Sequence, residues 1–200
     1  ICTGDVFHSK KTDRISYRLM NAVMEIYREF PDMYILVGNH DIENKMEWDD
    51  RPLGILNKLP NITVVHDTIV PFDGFSMSFF GGGEFYAFEE TIKAVRDFRK
   101  ICGQPLIQVL HASVVVDSDV CYFPAIGFDE IKQYGDFFIL GHLHDFQYNK
   151  SKFFVTGGLS RGVLQLDDNL NRPVYYGVVE INKEKVKGKV VGKSGTQPRA

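Results

Sequence analysis

Three short apolar runs constrain this chain most: Met33 to Val37, Leu106 to Leu110 and Phe137 to Leu140. Each reads as a strand covered on both faces. Patterns at helical spacing lie between them. Residues 13–30 carry Ile15, Leu19, Val23, Ile26 and Phe30 as one apolar stripe, with Thr12 or Asp13 as N-cap and Pro31 as stop. Residues 89–101 carry Ile92, Val95 and Phe98 on one face, with Gly103 as C-cap. Shorter helices are expected at 54–59 and 128–133. Strands alternating with helices predict an α/β domain. After residue 150 the helical patterns stop. Phe153 to Val155, Val174 to Ile181 and Val186 to Val191 read as antiparallel strands, the last two joined by a polar turn around Asn182-Lys183, which adds α+β character. With no internal repeat and no low-complexity linker, residues 1–192 form one expected domain and residues 193–200 a tail. Ile1-Cys2-Thr3 ahead of Gly4-Asp5 reads as the end of a buried strand entering a loop, so the domain is expected to be N-terminally incomplete.

Composition removes whole classes of answer. The 200 residues are 44% hydrophobic and 24% charged, which excludes a disordered tail, a collagen-like chain and a coiled coil. No stretch of about 18 apolar residues is present, so no membrane span is expected. A net charge of −3 does not mark a nucleic-acid binder, although metal ions and a local basic stripe do that work in a chain of any net charge. Lys183, Lys185, Lys187, Lys189 and Lys193 form such a stripe, read as a solvated strand face with a phosphate-facing surface as the alternative. The three cysteines, Cys2, Cys102 and Cys121, are few, odd in number and set beside apolar residues. That suits buried thiols in a reducing compartment, hence a cytoplasmic protein.

The histidines carry the functional information. Of six, four follow buried-strand patterns: His40, His111, His142 and His144. Strand ends that meet loops are where α/β proteins place functional groups. Gly4-Asp5, Gly38-Asn39-His40-Asp41, His111 and Gly141-His142-Leu143-His144 each occupy such an end. One strand-end histidine is ordinarily structural; four segments bearing Asp, Asn and His together point to metal chemistry. Cations such as Mn²⁺ accept carboxylate and amide oxygens beside imidazole nitrogens, and the absence of cysteine from the set argues against a structural zinc site. His66 follows Ile62 to Val65 but lacks such company and reads as structural.

In this order, the four segments resemble the calcineurin-like metallophosphoesterase superfamily. The resemblance implies a four-layer αββα sandwich, two mixed sheets flanked by helices, with the first strand missing here. It implies two divalent metal ions, Mn²⁺ by expectation and Mg²⁺, Fe²⁺ or Zn²⁺ as alternatives. Asp5 would bridge both ions, Asn39, His111 and His142 would bind one, and His144 the other. His40 would stand beside the substrate phosphate, protonating the leaving oxygen or stabilising charge. Asp41 would orient a neighbour or cap the following segment. The superfamily also carries an Asp-x-His motif ahead of Gly-Asp, which this sequence does not contain. One ion thus keeps four protein ligands and the other only Asp5 and His144.

Within the superfamily, Gly4-Asp5-Val6-Phe7-His8 resembles the DNA double-strand-break nucleases of the Mre11/SbcD branch. There His8 would contact the substrate phosphate. Gly157-Gly158-Leu159-Ser160-Arg161-Gly162, Arg172-Pro173 and Val178-Val179-Glu180-Ile181 are similar to the later segment of that branch, with Thr156-Gly157-Gly158 in place of Pro-Gly-Ser. The implied activity is phosphodiester hydrolysis by a two-metal-activated water, as a DNA exonuclease or endonuclease. The implied partners are DNA and a Rad50/SbcC-like ATPase, with a homodimer allowed. The alternatives are a small-molecule or nucleotide phosphodiesterase or phosphatase on the same fold, and a catalytically incomplete scaffold.

Overall fold

The computed structural model describes residues 1–7, 15–43, 48–49, 51–82, 86–103, 105–115, 125–144, 147–149, 152–155, 157, 174–182 and 185–193. It is a mixed α/β protein. Chain order runs α1 (Tyr17–Arg28), β1 (Met33–Leu36), α2 (Pro52–Leu56), β2 (Ile62–Val65), β3 (Thr68–Phe72), β4 (Phe75–Phe80), α3 (Phe88–Ile101) and β5 (Leu106–His111). It continues through β6 (Val114–Val115), β7 (Ile126–Gly127), α4 (Phe128–Ile131), β8 (Phe137–Gly141), β9 (Gln147–Asn149), β10 (Phe153–Val155), β11 (Val174–Asn182) and β12 (Lys185–Lys193).

The three apolar runs are β1, β5 and β8. Strands β5 and β8 are buried at every position. They sit centrally in a six-stranded sheet of order β3-β4-β5-β8-β10-β9, parallel from β4 to β10 and antiparallel at both edges. Strand β1 pairs with β2 in parallel and, on its other side, bridges to Cys2. The Cys2 amide donates to the Tyr34 carbonyl and the Leu36 amide to the Cys2 carbonyl, both at 2.9 Å. Gly4-Asp5 is thereby carried to the end of β1, where Gly38 begins.

Three apolar clusters form the core. Met20, Ile35, Val37, Leu53 and Leu56 join α1 and α2 to β1. Leu36, Val65, Phe79, Ile107, Val109, Phe137 and Phe154 fill the space between β1–β2 and one face of the large sheet, with Val179, Ile181 and Val186 of β11 and β12 packed against them. Val95, Phe98, Phe128, Ile131, Leu110 and Phe138 join α3 and α4 to the sheet's other face. Successive residues of a strand point to opposite faces, so Phe137 and Phe138 feed different clusters. Both are fully buried, and truncating either to alanine costs about 3–5 kcal/mol. Tyr148 ties β9 to the β11–β12 hairpin by donating its hydroxyl proton to the Gly188 carbonyl at 2.6 Å.

Helix α1 corrects one expectation. Its buried face is Met20 with Val23, Met24 and Tyr27 packed beside it, whereas Leu19, Ile26 and Phe30 are about half exposed. The helix carries two apolar stripes, and only the one facing α2 and β1 is used by the fold. Ser16 is its N-cap, accepting from the Leu19 amide at 3.1 Å; the caps expected at Thr12 or Asp13 lie outside the described residues. Helix α3 ends at Cys102 in an extended conformation instead of a glycine cap at Gly103. No helix of the described residues is long and apolar enough to cross a membrane.

Candidate metal centre

Strands β1, β5 and β8 deliver their ends to one edge of the protein. The register aligns His111 on β5 with Gly141 on β8, and the next residue is His142. Cys2 beside β1 brings Asp5 to the same edge. Close approach of these loops requires glycine at two positions. Gly4 has φ +100°, and a Cβ there would lie 2.6 Å from His111 Nδ1. A Cβ on Gly38 would collide with the Asp5 carboxylate.

Four of the expected ligands converge here. Asp5, His111 and His142 present donor atoms within 4.8 Å of one another. Asn39 Oδ1 lies 3.0 Å from both His111 Nε2 and His142 Nδ1, and Asp5 Oδ2 lies 3.2 Å from His111 Nε2. The His111 and His142 rings meet edge to face, 5.1 Å apart at 73°. His144 is exposed and does not join this group. His40 sits on the connecting turn with its side chain half-buried, and its backbone N–H donates to Asp5 Oδ1 at 2.8 Å. His8 lies outside the described residues.

The cluster offers a cation several ligand atoms at once. His111 Nδ1 donates to the Thr3 carbonyl at 2.6 Å, which orients the ring and turns Nε2 inward. Nε2 faces a carboxylate oxygen and an amide oxygen. A positive charge among these atoms, as a bound cation or as a proton on Nε2, satisfies all of them. Separations of 3.0 to 3.2 Å also match adjacent ligands of one small divalent ion, about 3 Å for bonds of about 2.1 Å at right angles. The residues present therefore fit a metal at Asp5, Asn39, His111 and His142. Carboxylate, amide and imidazole donors suit Mn²⁺-type ions as well as zinc, so the donor set leaves the ion's identity open.

Two second-layer residues hold the ligands. Thr3 acts through its carbonyl, a backbone contact with no side-chain signature in sequence. Asp41, 3% exposed, accepts through Oδ2 from the Gly38 and Asp5 amides, both at 2.9 Å, and so clamps the two ligand loops together. Of its two expected roles, it orients neighbours. Burial, and then the charge of Asp5, push its carboxyl up to about 6 against the lowering pull of those amides. Burial also pushes Asp5 up, but the hydrogen bond and charge of His111 and the His40 amide outweigh it. The net direction for Asp5 is below the ordinary carboxylate value, which keeps it ionised.

Backbone strain is concentrated on the ligands. Among the described residues, three non-glycine residues have positive φ: Asp5 at 54°, Asp67 at 43° and His142 at 79°. Such conformations cost about 1–3 kcal/mol each and persist where the surroundings enforce them. Two of the three belong to the ligand cluster.

No family model matches the chain, and no curated protein sequence matches it. Solved structures do: one superposes with a TM-score of 0.47 at 14% sequence identity, covering 73% of this chain and 66% of that one. The chain thus spans 66% of the length of that structure's chain.

Proposed function

We propose that the chain is a metal-dependent phosphodiester hydrolase of the calcineurin-like metallophosphoesterase type, acting on DNA. The observation that carries this reading is the convergence of Asp5 Oδ2, Asn39 Oδ1, His111 Nε2 and His142 Nδ1, each 3.0 to 3.2 Å from a neighbour in the set. The order of the three clusters along the chain, α1–α2 on β1–β2 and α3–α4 on the far face of the large sheet, supports a four-layer αββα arrangement.

In this reading Asp5, Asn39, His111 and His142 hold one ion, and Asp5 with His144 contributes to a second. Bound divalent ions supply charge to neutralise a phosphoryl group and activate a water at neutral pH. Asp5 stays ionised and is aimed by the His40 amide. Thr3 orients the His111 ring through Nδ1, so that Nε2 is the nitrogen offered to the ion. Asp41 keeps the two ligand loops in contact. His40, one residue beyond Asn39, is the group that donates a proton to the leaving oxygen or stabilises its charge.

The test is metal content by mass spectrometry together with hydrolysis of a DNA hairpin and of methyl p-nitrophenyl phosphate, with and without Mn²⁺. The expected result is Mn²⁺-dependent cleavage of both and tighter retention of the first ion than of the second. Equal binding of two ions by these 200 residues, or no binding, overturns the ligand assignment.

A further inference from the structure

A second group of side chains lies on the same edge as the ligands. The register pairs Phe80 of β4 with Leu110 of β5, so Gly81 follows alongside His111. The Gly82 amide donates to the Val37 carbonyl at 2.9 Å, and Val37 leads directly into Gly38. Gly82 thus sits beside the ligand loop, with Tyr86 lying over it: a Cβ on Gly82 would come 2.7 Å from Tyr86 Cε2. The Tyr86 ring centre is 4.8 Å from that of Phe80 and 5.8 Å from that of His66, and its hydroxyl is 2.9 Å from His66 Nε2. Phe80 is 4% exposed, whereas Tyr86 is only half-buried.

Tyr86 is therefore an aromatic ring fixed on three sides but not sequestered. It reaches the ligand loop through Gly82, whose amide is bonded to the residue before Gly38. His66 carries a cost in this arrangement: its Nδ1 is buried with no hydrogen-bond partner. A phenylalanine would fill the same space without that cost. What the imidazole adds is the bond to the Tyr86 hydroxyl, which fixes the ring's direction.

We propose that Tyr86, oriented by His66, is a stacking surface for a nucleobase next to the phosphate held at the ligand cluster. This rests on the phosphodiesterase reading above. Every base offers a π-face to such a ring, and base–aromatic stacking contributes about 1–3 kcal/mol per base without demanding a sequence.

The experiment compares binding of a fluorescent oligothymidylate octamer with that of an abasic octamer of the same backbone, by anisotropy in Ca²⁺. The intact chain should prefer the oligothymidylate by about tenfold. Tyr86→Leu should bring the ratio to about one, Tyr86→Trp should keep it, and Tyr86→Phe and His66→Asn, which each lose the hydroxyl–imidazole bond, should reduce it only partway. A ratio indifferent to Tyr86→Leu, or one lost equally in Tyr86→Phe, overturns the proposal. Should Tyr86→Leu fail to fold, photocrosslinking of 5-iododeoxyuridine to the unaltered chain decides: a crosslink on Tyr86 supports stacking, and crosslinks confined to other residues overturn it. A Tyr86-dependent base preference without Mn²⁺-dependent hydrolysis would remove the enzyme reading and leave the stacking site standing. Hydrolysis with no such preference would do the reverse.

Discussion

Gln108 and His111 lie three residues apart on β5, both polar and both almost completely buried. Gln108 is matched at every atom. Its amide group donates to the carbonyls of Val95 at 2.9 Å and Tyr134 at 3.0 Å, and its oxygen accepts from the Ser78 hydroxyl. It ties the sheet to α3 and to the turn after α4. His111 gives Nδ1 to the Thr3 carbonyl and turns Nε2 toward Asn39 Oδ1 and Asp5 Oδ2. Burial alone does not mark a functional polar group. The partners of Gln108 tie elements of the fold together, whereas the partners of His111 Nε2 are themselves side chains of metal-ligating type.

The largest test of this contrast exchanges the two residues' fates. His111→Leu should weaken Mn²⁺ binding by more than about 10²-fold in calorimetry, beyond the 10–100-fold typical of losing a second-layer contact, while the chelated chain melts no lower than before. Gln108→Leu should do the opposite. It leaves buried partners unpaired and should cost about 3 kcal/mol in urea unfolding with Mn²⁺ affinity intact. If Gln108→Leu weakens Mn²⁺ as much as His111→Leu, the two clusters are one and the contrast breaks. His40→Ala should lower kcat by about 10²-fold with unchanged metal content, because alanine keeps the backbone N–H that holds Asp5 Oδ1. A parallel fall in bound Mn²⁺ would make His40 a ligand. Asp41→Asn retains one acceptor oxygen but loses the charge that holds two amides, and a loss of about tenfold in Mn²⁺ affinity should follow.

The smallest effect concerns His66. Burial holds its imidazole below the ordinary value of 6.5, although the nearby Asp67 pulls the other way. The unfolded chain then takes up a proton near pH 6.5 that the folded chain declines. The stabilising contribution of the neutral ring is fully present above that pH and is lost as pH falls below it. Urea titrations at pH 7.5 and 5.5 should show this slope in the native chain and a shallower one in His66→Asn.

Strands β5 and β8, buried at every position, and β1, packed on both faces at Ile35 and Leu36, are legible in the sequence because they are continuously apolar. The β3–β4 hairpin escaped that reading for the converse reason. Pro71 interrupts β3, which only an edge strand tolerates, and β4 alternates serine with apolar residues. The Asp73-Gly74 pair between them, with Gly74 at φ +81°, was the available turn signal. At the candidate metal centre the residues able to act as ligands are legible because side chains must supply such groups. The Thr3 carbonyl and the two amides bound by Asp41 are not, since every residue owns those groups. His66 looked structural for want of a motif, and its partner Tyr86 is 20 positions away in sequence.

The left-handed backbone at Asp5 and His142 sets a direction for change over generations. Glycine or asparagine at either position relaxes the chain, and neither replacement opens a cavity in the three apolar clusters. Relief of that strain is set against what the side chains hold: glycine at Asp5 would leave the His40 amide without its acceptor, and glycine at His142 would remove the contact to Asn39 Oδ1.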